Sequence, residues 1–200
     1  MKNTNHSLFD KYEMIKDLGT GSSGSVMLVR HISMDQERAL KKVPKASAFA
    51  ESALSEARLL KSLEHPSIPR IFDFEEDNAF YYIVEEYIDG ETLDSFLLHQ
   101  QLISPGLFFN ICEQLCNVFI YLHTQISTPI IYRDLKPEHI IVCHNKLKLI
   151  DFGVSAYVIQ DGNNFNHYGN IEFSAPECFT EDTITPAADI YSLGQLLQYI

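Results

Sequence analysis

A charged segment between two apolar runs constrains the fold of this chain more than any other feature. Residues 132–137 read Tyr-Arg-Asp-Leu-Lys-Pro, with apolar runs at 130–131 and 140–142. Proline fixes φ and lacks an N–H group, so the pattern predicts a loop that is held rigidly at both ends. Asp134 and Lys136 can both face one reacting centre, where the carboxylate would orient a hydroxyl and the ammonium would meet developing negative charge.

A second carboxylate is predicted close to the first. A hairpin with Asn145 at its turn follows the charged segment and ends in Leu-Ile-Asp-Phe-Gly at 149–153. The glycine makes the turn after Asp151 adaptable, so the chain can bring this carboxylate near Asp134. For either aspartate alone, an ordinary turn carboxylate is the better explanation. The functional interpretation depends on both motifs occurring in this order, with further motifs around them.

The two segments resemble the catalytic loop and the metal-binding Asp-Phe-Gly turn of protein kinases, in particular the bacterial eukaryotic-like serine/threonine kinases, in which Tyr often replaces the first His of the loop. The resemblance implies an α+β, bilobal fold. Residues 12–87 would form an N-lobe with an antiparallel sheet and one helix. Residues 88–200 would form a mostly helical C-lobe that lacks its last helices, and residues 1–11 a polar lead-in.

A glycine-rich segment, Gly-Thr-Gly-Ser-Ser-Gly at 19–24, follows a strand-like pattern at 12–18. A dinucleotide-binding fold needs a helix after such glycines, but β-branched and apolar residues follow here. The pattern therefore favours a strand–turn–strand flap whose backbone N–H groups approach phosphate oxygens. The resemblance implies that ATP is contacted by Leu18, Gly19, Gly21, Gly24, Val26, Ala39, Lys41, Glu86, Ile88, Ile141 and Asp151.

The resemblance also gives each catalytic group a role. Asp134 would orient the acceptor hydroxyl, and Lys136 would stabilise the transferring phosphoryl group. Lys41 would hold the α- and β-phosphates and pair with Glu56, which lies in a helical pattern at 48–63. A helix opened by Thr185-Pro186 would place Asp189 where it accepts hydrogen bonds from the catalytic-loop backbone.

Three positions and one segment depart from the family pattern. His139 replaces the Asn that would bind a second metal ion together with Asp151, although Mg²⁺ prefers oxygen ligands. Three outcomes stay open: use of one metal ion, preference for Mn²⁺, or impaired catalysis. Asn170 replaces a Thr that would bridge Asp134 and Lys136. Glu85 stands at the gatekeeper position, where it either meets an interior lysine or narrows the pocket. Residues 157–168 contain no Ser or Thr, which leaves Tyr168 or Asp161 as substitutes for a regulatory phosphate.

The composition of the chain limits the classes of partner that it can bind. The net charge of the 200 residues is -12, which argues against nucleic-acid binding. No apolar run is long enough to span a membrane, and four cysteines without a CxxC pair fit a reducing cytoplasm. The chain stops at the last predicted helix, so we expect either a missing C-terminal segment or a partner that covers it.

These features predict a serine/threonine protein kinase that transfers the ATP γ-phosphate to protein hydroxyls in bacterial signalling, with Mg²⁺ or Mn²⁺. The alternative is an ATP-binding pseudokinase that acts as a scaffold. Ala-Pro-Glu at 175–177, typical of a protein-substrate segment, argues against a small-molecule kinase.

Overall fold

The computed structural model describes residues 8–21, 24–100, 102–157, 170–180 and 184–200. The chain divides into two compact units. The N-terminal unit comprises Met1–Leu63 and Pro69–Tyr87, and the C-terminal unit comprises Glu64–Ile68 and Ile88–Ile200. The segment Glu64–Ile68 therefore groups with the second unit although it precedes Pro69 in the chain.

The N-terminal unit is built on a five-stranded antiparallel sheet with the strand order β1-β2-β3-β5-β4. Its helices and strands are α1 (Leu8–Lys11), β1 (Tyr12–Gly21), β2 (Gly24–His31), β3 (Gln36–Pro44), α2 (Ala50–Lys61), β4 (Ile71–Glu76) and β5 (Phe80–Glu86).

The two-residue period of β3 decides what its side chains contact. Leu40 lies opposite Val84 in the register and belongs to a buried cluster on one face of the sheet. Val43 and Ile83 belong to a second cluster, which also includes Ala53 and Ala57 of α2. Because alternate residues of a strand share a face, Lys41 lies on the same face as Val43, which is the face that α2 covers.

The predicted polar lead-in is wrong at its C-terminal end. Leu8–Lys11 form the helix α1, and Leu8 is buried among the side chains of the first cluster. Lys11 Nζ donates to Asp73 at 2.9 Å and to Glu75 at 2.7 Å. These two carboxylates raise the pKa of Lys11 above its usual range. A helix of four residues is too short to show a helical period in the sequence.

The C-terminal unit is mainly helical with short strands. Its elements are β6 (Glu91–Thr92), α3 (Leu93–Leu98), α4 (Pro105–Ile120), a π-helical turn (Tyr121–Gln125), β7 (Ile130–Ile131), a 3₁₀ turn (Pro137–His139), β8 (Ile140–Cys143), β9 (Lys146–Leu149), β10 (Ala156–Tyr157), α5 (Glu177–Thr180) and α6 (Ala187–Tyr199). Strands β6, β8 and β9 form one sheet, and β7 pairs with β10. With the sheet and helix of the N-terminal unit, this organisation confirms the predicted fold class.

Helix α4 begins as its sequence predicts. Ser104 Oγ accepts a hydrogen bond from Leu107 N at 3.2 Å, and Pro105 occupies the first turn, where its missing N–H has no cost. The apolar face predicted for this helix is buried at Ile111, Leu115, Val118 and Phe119. The apolar pattern of this segment predicts an α-helix through His123, and this prediction is wrong because the chain widens into the π-helical turn at Tyr121–Gln125.

The hairpin between β8 and β9 has a two-residue turn at His144-Asn145, as Cys143 pairs with Lys146. Both turn residues have positive φ, 48° and 64°, as in a type I′ turn, which matches the twist of the flanking strands. The predicted turn at Asn145 is therefore confirmed. Across the described ranges, no helix combines the length and the apolar character that crossing a membrane requires.

Candidate active site

In the N-terminal unit, the structure brings Lys41 and Glu56 together. Lys41 Nζ lies 2.5 Å from Glu56 Oε2, and the two side chains are only 16% and 6% exposed. The strand period points Lys41 towards α2, and Glu56 lies on the buried face of that helix. A pair this well covered holds the ammonium in one place, where solvent screens it little. The fixed ammonium can then meet an anion.

The glycines of the flap have different structural roles. Gly24 has φ of 144°, and a Cβ there would lie 2.2 Å from the carbonyl oxygen of Lys42. The fold itself therefore requires glycine at 24, where β2 approaches β3. At Gly19 and Gly21, by contrast, a Cβ would meet no atom of the described residues within 4 Å. The predicted loop residues Ser22 and Ser23 lie outside the described residues.

The other predicted nucleotide contacts are divided between the units. Leu18, Val26, Ala39 and Glu86 belong to strands of the N-terminal unit, where Val26 lies opposite Lys41 in the register and Ala39 opposite Glu85. In the C-terminal unit, Ile88 follows the end of the N-terminal unit, and Ile141 lies in β8, opposite Thr92.

In the C-terminal unit, Asp189 anchors the loop at 132–137. This fully buried carboxylate accepts hydrogen bonds at 2.8 Å from Tyr132 N, through Oδ2, and from Arg133 N, through Oδ1. The predicted hydrogen bonding of Asp189 to the loop backbone is therefore confirmed. Arg133 has φ of 75°, a conformation that costs a non-glycine residue about 1–3 kcal/mol. The two hydrogen bonds to Asp189 hold the backbone in this conformation.

A histidine at the end of the long apolar pattern at 107–122 is more often a packed or capping residue than a ligand, but His123 is a positioning residue here. Its Nε2 lies 2.8 Å from Asp189 Oδ2, and its ring contacts Phe119 with 5.6 Å between centroids. The imidazole therefore fixes the same carboxylate that fixes the loop. A signal existed in the sequence, since His123 lies near the end of the long apolar pattern that precedes the loop, where a ring nitrogen can reach buried polar groups.

The loop presents Asp134 and Lys136 together. Lys136 Nζ lies 2.8 Å from Asp134 Oδ2, and both side chains remain partly accessible. The ammonium therefore holds the carboxylate in a fixed position. Such a pair can accept a proton from a bound hydroxyl and stabilise negative charge beside it.

Asp151 lies on a strained turn next to this loop. It has φ of 61°, and its Oδ1 accepts a hydrogen bond from Gly153 N at 3.2 Å. The preceding carbonyl, of Ile150, accepts a hydrogen bond from the hydroxyl of Tyr132, whose ring also contacts buried Phe152 with 5.0 Å between centroids. Tyr132 therefore ties the turn to the loop, a role that the sequence analysis missed because it noted only the replacement of His by Tyr.

His139 lies between the two aspartates. Its Nδ1 is 3.0 Å from the carbonyl oxygen of Asp134, and its Nε2 is 3.5 Å from Asp151 Oδ2. The structure thus brings the two predicted metal ligands together. No group of three or more His, Cys, Asp and Glu side chains suited to a metal ion occurs in the part of the chain that the structure describes. The half-exposed carboxylate of Asp151 fits Mg²⁺, whereas the imidazole does not.

Asn170 stands where a Thr would bridge Asp134 and Lys136, and an amide could still form that bridge, but its oxygen is used locally. Its Oδ1 accepts a hydrogen bond from Glu172 N at 2.9 Å. Among the described residues it makes no hydrogen bond to Asp134 or Lys136. The Asn side chain is one bond longer than that of Thr, so its amide oxygen can accept a hydrogen bond from the backbone two residues later and close an Asx turn. This local hydrogen bond forms here in place of a bridge. Tyr168 and Asp161, the predicted substitutes for a regulatory phosphate, lie outside the described residues.

Residues 12–200 match the protein kinase domain family. The chain is 31% identical to the serine/threonine-protein kinase PrkC of Bacillus subtilis, over 94% of this chain and 30% of that protein. It is 33% identical to the serine/threonine-protein kinase ppk25 of Schizosaccharomyces pombe, over 91% and 44% of the two proteins. For the serine/threonine-protein kinase PknB of Mycolicibacterium smegmatis the identity is 29%, over 98% and 33%. The chain therefore spans less than half the length of these relatives.

Proposed function

Because this chain belongs to the protein kinase family, we propose that it transfers the γ-phosphoryl group of ATP to serine or threonine hydroxyls of a protein substrate. The observation that carries the proposal is the loop at 132–137. Its carboxylate and ammonium lie 2.8 Å apart, on a backbone anchored by a fully buried aspartate. Positioning and charge stabilisation are most of what phosphoryl transfer asks of a protein.

In the proposed reaction, the substrate hydroxyl binds at Asp134, which orients it and takes its proton. The hydroxyl oxygen forms a bond to the γ-phosphorus while the bond from that phosphorus to the ADP oxygen breaks. Lys136 stabilises the charge on the transferring group, and Lys41, held by Glu56, binds the α- and β-phosphates. A divalent ion held at Asp151 would neutralise charge on the phosphates.

A role in bacterial signalling is part of the proposal. Two of the relatives, PrkC and PknB, are bacterial serine/threonine-protein kinases. The four cysteines are all free thiols, which suits the reducing cytoplasm in which ATP is abundant.

The decisive experiment measures transfer of labelled γ-phosphate from ATP to a generic protein substrate, first with Mg²⁺ and then with Mn²⁺. We expect the Asp134→Asn variant to lose at least about 10²-fold in turnover, because the amide cannot accept the proton. Nucleotide binding, measured on the same samples, should remain, because Asp134 is assigned to the acceptor hydroxyl. Turnover of the unaltered chain that does not exceed that of the variant with either ion would overturn the enzyme proposal.

A nucleotide-binding pseudokinase that acts as a scaffold is the second candidate. Two observations favour it: the imidazole of His139 at a metal-binding position, and the amide of Asn170, which is occupied by its own backbone turn. The same experiment separates the candidates. The scaffold would bind the nucleotide but would transfer no phosphate with either metal ion.

A further inference from the structure

The proton on His139 can be located from its neighbours. Nδ1 faces three oxygens, which are the carbonyl oxygen of Asp134 at 3.0 Å, the Oδ2 atom of the same residue at 3.4 Å and the hydroxyl of Tyr132 at 3.4 Å. The Tyr132 hydroxyl donates its own proton to the carbonyl of Ile150, so it offers Nδ1 a lone pair. With only acceptors around it, Nδ1 must carry a proton.

The opposite nitrogen is then left in an unfavourable position. In the neutral ring, Nε2 carries a lone pair, and it faces Asp151 Oδ2 at 3.5 Å. This distance is beyond a good hydrogen bond, and two lone pairs repel. A cation between the two atoms would remove the repulsion. A metal ion meets this need, because metal-bound histidines usually donate their other N–H to a carbonyl or carboxylate, as His139 does to Asp134.

We propose that His139 Nε2 and Asp151 Oδ2 are two ligands of a site for a divalent first-row transition ion, which this chain binds in preference to Mg²⁺. Ligands about 2.0–2.2 Å from one ion can lie up to about 4.2 Å apart, so the observed 3.5 Å needs no rearrangement. Mixed nitrogen and oxygen ligands favour transition ions, whereas Mg²⁺ strongly prefers oxygen. The role of this ion in phosphoryl transfer rests on the proposed function; the binding preference itself does not.

Mn²⁺ is the probe for this site, because it is paramagnetic and reports directly bound nitrogen as a ¹⁴N modulation in pulsed electron paramagnetic resonance. The full chain is measured with Mn²⁺ alone and with Mn²⁺ and a non-hydrolysable ATP analogue. We expect the ¹⁴N modulation in the unaltered chain and its loss in His139→Asn. The ratio of Mn²⁺ to Mg²⁺ affinity, from competition titrations, should fall at least about tenfold in His139→Asn.

The matched control is His144→Asn. His144 lies in the turn between β8 and β9 with φ of 48°, a conformation that Asn tolerates well. This variant should keep the ¹⁴N modulation and the preference for Mn²⁺. In uniformly ¹⁵N-labelled protein, the ¹⁴N modulation should be replaced by coupling to ¹⁵N, which shows that the bound nitrogen belongs to the protein. That measurement keeps the test valid even where His139→Asn fails to fold.

Two results would overturn the inference: no nitrogen coupling in the unaltered chain under either condition, or coupling that persists in folded His139→Asn. The first would mean that a proton, not a metal ion, separates His139 from Asp151. The failure of the proposed function has a different signature. The nitrogen coupling would be present in the unaltered chain with Mn²⁺ alone, while phosphate transfer from ATP would not exceed that of Asp134→Asn with either ion.

Discussion

At the scale of single residues, one buried carboxylate anchors the loop that carries Asp134 and Lys136. Asp189 accepts hydrogen bonds from two backbone N–H groups of the loop and lies 2.8 Å from the imidazole of His123. None of these partners contacts the reacting atoms in our proposal. They matter because Asp134 follows Arg133, whose backbone is held in a costly conformation. The position of the Asp134 carboxylate therefore depends on a residue more than fifty positions later in the chain.

We predict that Asp189→Asn lowers the free energy of unfolding by about 2–3 kcal/mol, because the new amide N–H₂ must face a buried backbone donor. The control is Asp89→Asn, at an exposed position of the same unit, which should change stability by less than about 0.5 kcal/mol. Urea denaturation of the full chain measures both. Equal stability of the two variants would show that the loop does not depend on this carboxylate.

At the scale of elements, glycine is needed in the flap formed by β1 and β2 for two different reasons. One is the fold, and the other is ligand binding. From the sequence, Gly19, Gly21 and Gly24 share one predicted role, which is to let the backbone approach the phosphates. The structure distinguishes them, because only Gly24 lies against backbone, at Lys42, and only Gly24 has a positive φ. Open space at Gly19 and Gly21 means that any need for glycine there comes from a ligand.

This difference predicts opposite outcomes for two matched variants. Gly24→Ala should lose at least about 2 kcal/mol of stability, because its φ is open only to glycine and its Cβ would meet the Lys42 carbonyl. Gly21→Ala should keep or slightly raise stability, yet weaken ATP binding about tenfold where phosphate oxygens approach the backbone. Thermal melts and nucleotide titrations measure the two effects. A large loss of stability in Gly21→Ala, or unchanged ATP affinity, would contradict this division.

The sequence predicted elements well where the determinants are local. The apolar runs of the sequence predict strands at about 71–74 and 80–86, and β5 occupies Phe80–Glu86. The cap at Ser104 starts its helix through a hydrogen bond to a residue three positions later. The ion pair of Lys41 with Glu56 was also predicted, but from the resemblance to protein kinases and not from a local pattern.

What the sequence could not predict depends on contacts distant along the chain. The special role of Gly24 arises from the approach of Lys42 O, which no local pattern records. The orientation of His139 is set by Asp134 and Tyr132 together. The π-helical turn at Tyr121–Gln125 widens a helix whose apolar period gives no sign of it. An amide at Asn170 could have bridged Asp134 and Lys136, but its own backbone turn competes successfully for the amide oxygen.

At the scale of the whole molecule, the proposed function requires an acidic chain to bind an anionic substrate. The 200 residues carry 27 Asp and Glu against 15 Lys and Arg, which gives a net charge of -12. Long-range attraction therefore cannot bring ATP to this protein. Binding must come from cations held locally, and the two lysines assigned to the phosphates, Lys41 and Lys136, are each fixed by a carboxylate within 2.8 Å.

Nucleotide binding should therefore stabilise the whole chain, and the effect should depend on Lys41 rather than on total charge. A ligand at about 100 times its Kd adds about 2.7 kcal/mol to the free energy of unfolding. For a chain of this length, that raises Tm by about 5–11 °C. We expect this rise for the unaltered chain with an ATP analogue and a divalent ion, and its loss in Lys41→Met. That variant should also melt at a lower temperature without ligand, because the ammonium beside the buried carboxylate of Glu56 is removed.

The neighbouring residue provides the control. Lys42 points to the other face of β3, where its Nζ lies 4.0 Å from the centroid of the Phe80 ring. Lys42→Met changes the net charge by the same amount on the same strand, but leaves the ion pair of Lys41 with Glu56 intact. It should keep the full rise in Tm on addition of the analogue. Equal rises in the two variants would mean that the phosphates do not bind at Lys41, whereas equal losses would mean that net charge, not the placed ammonium, governs nucleotide binding.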